Sequence, residues 1–374
     1  MISKKKTIEE ILEEWQANPE MQDRIKYVHT LPAKEAKLVD FPAKLHPSLK
    51  KALQKRGIYQ LYSHQREAFE YAMNGQSFTA VTPTASGKSL CYHLPVLQAI
   101  LENRASRALY LFPTKALAQD QKSDLNKLIE ESGEEILSYT YDGDTAPRIR
   151  QKVRKAGHIV MTNPDMLHSG ILPHHTKWVS LFENLQYIVI DELHTYKGVF
   201  GSHVAHVLRR LLRICHFYGS HPVFICTSAT IKNPKELAEN LTNTEHQLIA
   251  QNGAPTGKKT FLFYNPPIIH PTFGVRRSAI LEVRDLAREL YNSRIQTIIF
   301  AKSRVRVEML VTYMKSLTVK KIQDETIRGY RGGYLPSERR AIEKGLRDGT
   351  IQCVVSTNAL ELGVDIGQLQ ACIM

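Results

Sequence analysis

The sequence has no long apolar run and contains few cysteines. No stretch approaches the roughly 18 apolar residues that a membrane-spanning helix needs, and Met1–Trp15 is charged, so the pattern predicts neither a membrane protein nor a signal peptide. Five cysteines are scattered over 374 residues without a C-x-x-C pair. We therefore expect no disulfide framework and no cysteine zinc site, in a reduced cytoplasmic compartment.

Positive charge is what the sequence has in excess. Lys and Arg number 50 against 37 Asp and Glu, which gives a formal net charge of +13. Residues 251–374 hold 19 of the basic and 11 of the acidic residues, so most of the surplus lies in the last third. This balance favours a polyanionic partner such as nucleic acid, although a basic surface without a partner gives the same count.

Short apolar runs alternate with longer amphipathic ones along most of the chain. The predicted strands are Phe78–Thr82, Ala108–Phe112, Ile136–Thr140, His158–Met161, Tyr187–Asp191, Val223–Thr227, Thr297–Phe300 and Ile351–Ser356, followed by an apolar end at Leu369–Met374. The predicted helices are Ser89–Glu102, Lys115–Glu131, Ala146–Ala156, Ser202–Phe217, Ala279–Tyr291, Val305–Ser316 and Ser337–Asp348. This alternation predicts an α/β protein with parallel sheets.

Composition changes suggest where domains begin and end. The length predicts two or three domains. Residues 1–44 are charged and helix-prone, and we interpret them as a helical accessory segment. Glycine and proline crowd residues 253–275, which we interpret as a linker between a first domain at 45–252 and a second at 276–374.

A loop with phosphate-binding chemistry follows the first predicted strand. After Val81 the chain continues with Thr82, Pro83, Thr84, Ala85, Ser86, Gly87, Lys88 and Ser89, and then an apolar helix. The phosphate-loop motif is G-x-x-x-x-G-K-[ST], and Thr82 replaces its first glycine. We expect backbone N–H groups from Thr84 to Ser89 to face a phosphate, Lys88 to reach the β- and γ-phosphates of ATP, and the Ser89 hydroxyl to bind Mg²⁺.

Two carboxylates follow a later apolar strand. Tyr187–Ile190 leads directly into Asp191 and Glu192. Asp191 can hold Mg²⁺, and Glu192 can act as the general base that polarises the attacking water. Acidic residues often end a strand, but their combination with a G-K-S loop about 100 residues earlier is far more specific.

The motifs occur in a characteristic order. In the first half they are Gln65, Pro83–Ser89, Pro113–Leu117, Thr162–Leu167, Asp191–His194 and Ser228–Thr230, and in the second half Ile298–Arg304 and Val355–Gly367. This series resembles that of superfamily 2 helicases, DEAD/DEAH-type ATPases built from two RecA-like domains. Asp191–His194 and Tyr330–Arg340 resemble more closely the bacterial DNA-repair helicases of the mitomycin-repair-factor A type, which are relatives of a fungal RecQ-like helicase.

The resemblance implies an ATP-dependent enzyme that uses Mg²⁺. It implies that Gln65 contacts the adenine and that Gly363 and Asp365 also contribute to nucleotide binding. The residues from Thr84 to Ser89 would bind the phosphates and Mg²⁺. Ser228 and Thr230 would couple the state of the γ-phosphate to domain closure. His194 would connect the nucleotide and nucleic-acid sites.

The resemblance also implies a nucleic-acid partner, with DNA favoured over RNA. Its candidate contacts are Thr114, Lys115, Thr162, Asp165, Lys302, Arg304, Arg331 and Thr357. The implied activity is movement along DNA, in the 3′→5′ direction, and unwinding of DNA in repair, in a nucleoid-associated protein of the bacterial cytoplasm. The sequence does not identify a partner nuclease or an oligomeric state.

The family's sixth motif, with its arginine finger, is not found before Met374. We therefore expect the N-terminal half of a longer protein, with a truncated second RecA-like domain and poor turnover by itself. An RNA helicase, a non-catalytic nucleic-acid-binding module and an ATPase that acts on protein remain alternatives. We expect structural roles for His174, His175, His203 and His206, because no carboxylate or cysteine completes a ligand set.

Overall fold

The chain forms two compact units. The computed structural model describes residues 6–83, 86–316, 323–360 and 369–374. The middle unit is Ala33–Gly257, and the composite unit joins Met1–Pro32 to Lys258–Met374. This division differs from the boundaries that composition suggested, because residues 6–32 group with the last third of the chain. Within the described part of the chain, no helix has the length and apolarity needed to cross a membrane.

The N-terminal segment consists of α1 (Ile8–Ala17), α2 (Pro19–Arg24) and β1 (Ile25–Leu31). A capping box starts α1: the Thr7 hydroxyl accepts from the Glu10 N–H, and the Glu10 carboxylate accepts from the Thr7 N–H. Residues 1–44 therefore differ from the helical segment that we expected, since they also contain β1 and a short strand at Leu38–Val39.

The middle unit alternates strands and helices. Its elements in chain order are β2 (Leu38–Val39), α3 (Pro47–Lys55), β3 (Leu61–Tyr62), α4 (Ser63–Met73), β4 (Phe78–Val81), α5 (Ser89–Glu102), β5 (Arg107–Leu111), α6 (Lys115–Ser132), β6 (Ser138–Thr140), α7 (Pro147–Ala156), β7 (Ile159–Thr162), α8 (Pro164–Met166), α9 (Val179–Glu183), β8 (Leu185–Ile190), α10 (Gly198–Phe217), β9 (Val223–Ser228), α11 (Pro234–Thr242) and β10 (Gln247–Ile249). Short 3₁₀ or π turns lie at Leu167–Ile171, Leu172–Lys177 and Leu193–Thr195.

Seven of these strands form one parallel sheet in the order β10-β4-β9-β8-β5-β7-β6. Both of its faces are covered. Ala108 and Tyr110 of β5 point into one hydrophobic cluster, whereas Leu109 and Leu111 point into the other. Strands buried on both faces have continuous apolar sequences, which is why these runs were recognisable.

The composite unit continues with elements from the last third of the chain. They are β11 (Lys259–Tyr264), β12 (Ile268–His270), β13 (Val275–Arg276), α12 (Ala279–Asn292), β14 (Thr297–Phe300), α13 (Arg304–Ser316), α14 (Gln323–Thr326), β15 (Ile327–Tyr330), α15 (Pro336–Arg347), β16 (Cys353–Ser356) and β17 (Ala371–Ile373), with 3₁₀ turns at Pro271–Phe273 and Asn358–Leu360.

A four-stranded parallel sheet organises this unit, in the order β15-β16-β14-β17. Helices α12 and α13 contribute to the cluster on one face, and α15 contributes to the cluster on the other. The structure confirms the predicted α/β class and the principal helices and strands, with shifted ends. Strands β1, β2, β3, β10 and β15 were not predicted, and the expected linker at 253–275 contains β11, β12 and the first residue of β13.

Candidate active site

Three adjacent parallel strands bring the predicted chemistry to one edge of the middle sheet. Strand β9 lies between β4 and β8. The phosphate loop follows β4, Ser228 ends β9, and Asp191 follows β8. Ligands of such sheets bind at the carboxyl ends of the strands. The strand order therefore assembles residues that are about 100 positions apart in the sequence.

The phosphate loop ends at the first turn of α5. The Lys88 ammonium donates to the Ser228 carbonyl oxygen over 3.3 Å, which joins the loop to the end of β9. Thr82, in place of the motif's glycine, is buried, and its hydroxyl lies 2.6 Å from that of Ser86. Ser89 is half-buried at the start of α5. Thr84 and Ala85 lie outside the described residues.

Gly87 is the loop position at which only glycine fits. Its φ is +73°, a left-handed conformation that other residues rarely adopt. A Cβ here would lie 2.6 Å from the side-chain nitrogen of Gln65. That nitrogen donates to the Gly87 carbonyl over 2.9 Å, and the Gln65 oxygen accepts from the Tyr62 N–H over 3.0 Å. Gln65 therefore lies against the phosphate loop, while its contact with adenine stays a prediction.

Asp191 is buried, and two groups donate to its carboxylate, while the nearby Tyr92 hydroxyl is shared with the Gln121 side-chain oxygen at 2.8 Å. The Thr227 hydroxyl and the Glu192 N–H both donate to one of its oxygens, the latter over 2.9 Å. The Tyr92 hydroxyl lies 3.3 Å from the other oxygen. Hydrogen bonds of this kind fix the orientation of a carboxylate and stabilise its charge. Thr227 and Tyr92 were not identified from the sequence; the position of Tyr92, one turn after Ser89 on α5, was the available signal.

Glu192 has an unusual backbone and an unusual environment. Its φ is +52°, and non-glycine residues in this region concentrate at functional sites because the conformation is strained. Burial and the adjacent Asp191 carboxylate raise the pKa of Glu192 to about 7, against the opposing attraction of Lys88. A carboxyl group with a pKa near neutrality can take up a proton and release it under ordinary conditions.

Two buried oxygens at this edge have no hydrogen-bond partner among the described residues. They are Oε2 of Glu192 and Oγ of Ser228. The His194 ring nitrogen Nδ1 is 3.4 Å from that Glu192 oxygen, but it accepts from the Ala229 N–H at 3.3 Å. Buried polar atoms are seldom left unpaired, so these two fit a site that receives a polar ligand or water. Thr230, the third predicted coupling residue, is exposed.

The predicted nucleic-acid contacts of the middle unit differ in exposure. Thr162 is buried and donates to the Tyr141 carbonyl over 2.7 Å, so its hydroxyl already has a partner within the fold. The Thr114 hydroxyl caps α6 by accepting from the Leu117 N–H. Lys115 is exposed and forms a 2.7 Å ion pair with Asp144, and Asp165 is exposed in α8.

The contacts predicted in the composite unit follow three adjacent strands. Lys302 comes after β14, Arg331 after β15 and Thr357 after β16, so the parallel sheet places them along one edge. Lys302 and Arg304 are exposed. Arg331 pairs with Glu308 at 2.7 Å and lies over the Tyr334 ring. Gly363 and Asp365 fall outside the described residues.

Two family models match the chain. Residues 62–237 match the DEAD/DEAH box helicase model, and residues 281–374 match the helicase conserved C-terminal domain. The chain belongs to superfamily 2 of the helicases. The first match contains the phosphate loop and the Asp191–Glu192 pair.

Individual relatives cover nearly all of this helicase chain. The uncharacterized ATP-dependent helicase YprA of Bacillus subtilis is 62% identical over 99% of the chain and 49% of its own length. The ATP-dependent helicase HRQ1 of Saccharomyces cerevisiae is 38% identical over 98% of the chain and 35% of its own length. The chain thus spans half or less of the length of these curated relatives.

A solved structure confirms the tandem RecA-like fold. The crystal structure of the DUF1998 helicase MrfA bound to DNA and AMPPNP matches with a TM-score of 0.93 and 62% identity, over 98% of this chain and 51% of that one. The resemblance to the mitomycin-repair type is thereby confirmed.

Proposed function

We propose that this helicase chain binds and hydrolyses ATP to drive movement along DNA and the separation of its strands, in the service of DNA repair. The observation that carries this proposal is the buried Asp191–Glu192 pair after β8, which lies at the same edge of the sheet as Lys88 and Ser89 after β4, with β9 between the two strands. The name of the YprA relative, and the DNA and AMPPNP bound in the MrfA structure, support the same activity. Movement in the 3′→5′ direction and association with the bacterial nucleoid are further parts of this proposal.

Each residue of the site has a proposed task. Lys88 binds the β- and γ-phosphates, in exchange for its present contact with the Ser228 carbonyl. Glu192 accepts the proton of the water that attacks the γ-phosphorus, and the bridging oxygen departs with ADP. The raised pKa of Glu192 strengthens it as a base relative to an ordinary carboxylate. Gln65, Gly363 and Asp365 complete the nucleotide contacts.

The oxygen atoms of the site fit a magnesium ion. Ser89 and Asp191 would hold it, with phosphate oxygens and water as the remaining ligands, since Mg²⁺ is usually bound by one or two carboxylates plus substrate phosphates. Among the described residues no group of three His, Cys, Asp or Glu side chains could hold a metal alone. When bound, the ion would neutralise charge that develops on the phosphates.

Coupling between hydrolysis and movement is proposed to pass through His194. Its ring lies beside Glu192 and accepts from the backbone of Ala229, between Ser228 and Thr230. A change at the γ-phosphate that moves Glu192 would therefore also move the segment Ser228–Thr230, through His194. Of the predicted nucleic-acid contacts, Thr114, Lys115, Lys302, Arg304, Arg331 and Thr357 would contact the phosphate backbone with little base readout. The buried Thr162 and the negatively charged Asp165 would contribute by positioning the turn between β7 and α8.

ATP hydrolysis by the chain, measured with single-stranded DNA, with RNA and with neither, tests this proposal. We expect DNA to stimulate hydrolysis more than RNA does, and Lys88→Ala to abolish the stimulated rate. Stimulation by RNA alone would overturn the choice of DNA, and hydrolysis that Lys88→Ala leaves intact would overturn the site. Forked duplexes with a single 3′ or 5′ tail test strand separation and its direction.

A further inference from the structure

The two-stranded sheet of β1 and β11 has one face without a cover. The strands are antiparallel, and Leu262 and Tyr264 of β11 alternate with residues that point the other way. Ile25, Leu262 and Tyr264 pack on the small cluster that includes Ile11 and Trp15. The inner face of this sheet is therefore part of a core, and its outer face is not.

The outer face is unusually aromatic. Tyr27 lies opposite Phe263, His29 opposite Phe261, and Leu31 opposite Lys259. We call these six residues the aromatic face. Tyr27 is 58% exposed and Phe263 60% exposed. Sheets usually place polar side chains on a face that is in contact with water. Three cross-strand pairs of this composition therefore point to a ligand.

The rings of the aromatic face lie close together. Tyr27 and His29 are parallel to within 7°, with centroids 6.3 Å apart. Tyr27 and Phe263 are tilted by 58°, with centroids 5.7 Å apart. Exposed rings held in register on neighbouring strands are the arrangement with which β-sheets stack unpaired bases.

The charge around this face is positive. The stretches Arg24–Pro32 and Lys258–Leu281 contain no Asp or Glu. Arg24 and Arg277 are paired with Glu282 at the inner side of the sheet. Lys258 and Lys259, by contrast, have no acidic partner among the described residues, and Lys259 belongs to the aromatic face itself. Such a combination suits a ligand that has both flat apolar groups and negative charge.

We propose that the aromatic face binds single-stranded nucleic acid by stacking its bases on Tyr27 and Phe263, while Lys258 and Lys259 contact the phosphates. This rests on the proposed function only in taking nucleic acid as the partner. Because every base has a π-face, such binding tolerates any sequence, as a translocating protein requires. An acidic protein segment would also satisfy the lysines, but it would offer no bases to the rings.

Binding of two labelled strands of equal length separates these possibilities. One is oligothymidylate, and the other has the same backbone with abasic sites, which cannot stack. Fluorescence anisotropy with the 374-residue chain is expected to show tighter binding of oligothymidylate. Tyr27→Ala/Phe263→Ala should weaken oligothymidylate binding by about 10-fold or more and leave abasic binding unchanged, which removes the preference.

Matched variants control for folding and charge. Phe217→Ala removes another exposed ring, 77% exposed on α10 of the middle unit, and should change neither affinity. Tyr27→Phe keeps the ring and should bind as the parent does. Lys258→Ala/Lys259→Ala should weaken both strands and reduce the salt dependence by about one counterion per lysine removed.

The outcomes are distinct. If the parent chain binds neither strand, the nucleic-acid partner of the proposed function is wrong, and this proposal falls with it. If the parent prefers oligothymidylate and Tyr27→Ala/Phe263→Ala keeps that preference, the aromatic face is not the stacking site, while the proposed function stands. Equal weakening of both strands by this variant would likewise overturn stacking.

Discussion

The His64 imidazole donates from Nε2 to the Ser86 carbonyl oxygen in the phosphate loop, over 3.1 Å. Its other nitrogen, Nδ1, accepts from the N–H of Gly253, also at 3.1 Å. Because a backbone N–H can only donate, Nδ1 has no proton, and the ring is neutral. Burial accordingly lowers the pKa of His64. One buried side chain thus ties the phosphate loop to the end of the middle unit.

Replacing His64 should loosen the phosphate loop. His64→Ala removes both hydrogen bonds, and at about 1 kcal/mol for each we expect a loss in ATP affinity of about 5- to 30-fold. His64→Gln can restore a donor near Ser86 and should recover part of the affinity. Titration with a fluorescent ATP analogue measures both variants, and equal affinity in His64→Ala and the parent would contradict this role.

Acid should weaken the same anchor. The pKa of His64 is lower in the folded chain than in the unfolded chain, so the folded state resists protonation. The stability that this neutral ring contributes is complete above the unfolded pKa of about 6.5 and is lost as the pH falls through the folded value. The melting temperature of the parent should therefore fall more steeply between pH 7 and pH 5 than that of His64→Gln.

ATP hydrolysis should depend on pH through Glu192. This base must be ionised to accept a proton, and its pKa is about 7. We expect kcat/KM to fall about 10-fold for each pH unit below that value, whereas an ordinary carboxylate would keep it flat to about pH 5. Steady-state hydrolysis between pH 5 and pH 9 measures this, and a flat profile would contradict the assignment.

Glu192→Gln is the companion variant. It removes the base, so turnover should fall by about 100- to 10,000-fold. A carboxyl group whose pKa is raised in the folded state contributes stability that is lost as the pH rises from its unfolded value through about 7. The amide side chain of Glu192→Gln does not titrate, so the variant has no such loss of stability. The melting temperature of Glu192→Gln relative to the parent should therefore increase between pH 5 and pH 8.

Lys88→Ala should reduce ATP affinity selectively. A charge-assisted hydrogen bond contributes about 1.5–3 kcal/mol, which corresponds to about 10- to 100-fold in affinity. Lys51→Ala removes an exposed lysine on α3 and should bind ATP as the parent does. Titration of both variants with the same nucleotide analogue measures the difference, and equal losses would show an effect of overall charge instead.

Ile11→Ala should destabilise the composite unit. Ile11 is fully buried with Leu290 and Ile295, and truncation of such a side chain costs about 2–5 kcal/mol. Glu13→Ala changes an exposed residue of the same helix and should have little effect. Hydrogen exchange should show faster exchange in α12 for Ile11→Ala alone, while β4 and β9 keep their protection; unchanged exchange in α12 would contradict the packing.

Local sequence patterns predicted the catalytic elements well, and for a physical reason. Strand β4 is buried on both faces of the sheet, and three of its four residues, Phe78, Ala80 and Val81, are apolar. The phosphate loop must start a helix, and α5 has the predicted bounds. Asp191 and Glu192 end a buried strand, where carboxylates are otherwise unfavourable. Such features depend on neighbours in the sequence, so the pattern alone reveals them.

Short strands with mixed composition were not recognised. Strand β15 contains Arg328 and Gly329, which have low strand propensity, yet it joins the sheet because β16 offers a partner. Strand β11 lies in a segment rich in glycine and proline that suggested a linker. It pairs with β1, which lies more than 200 residues earlier in the sequence, and no local pattern predicts a pairing over such a distance.

The sequence alone determined the α/β class and the family, and it identified the residues for which we propose the ATP chemistry, because these depend on local periodicity and on motif order. Only the tertiary structure decided that β9 separates β4 from β8, that Thr227 and Tyr92 contact Asp191, and that Glu192 is buried enough to raise its pKa. It also placed the N-terminal segment in the composite unit. Strand order and desolvation arise from contacts between distant segments, and those contacts form only when the chain folds.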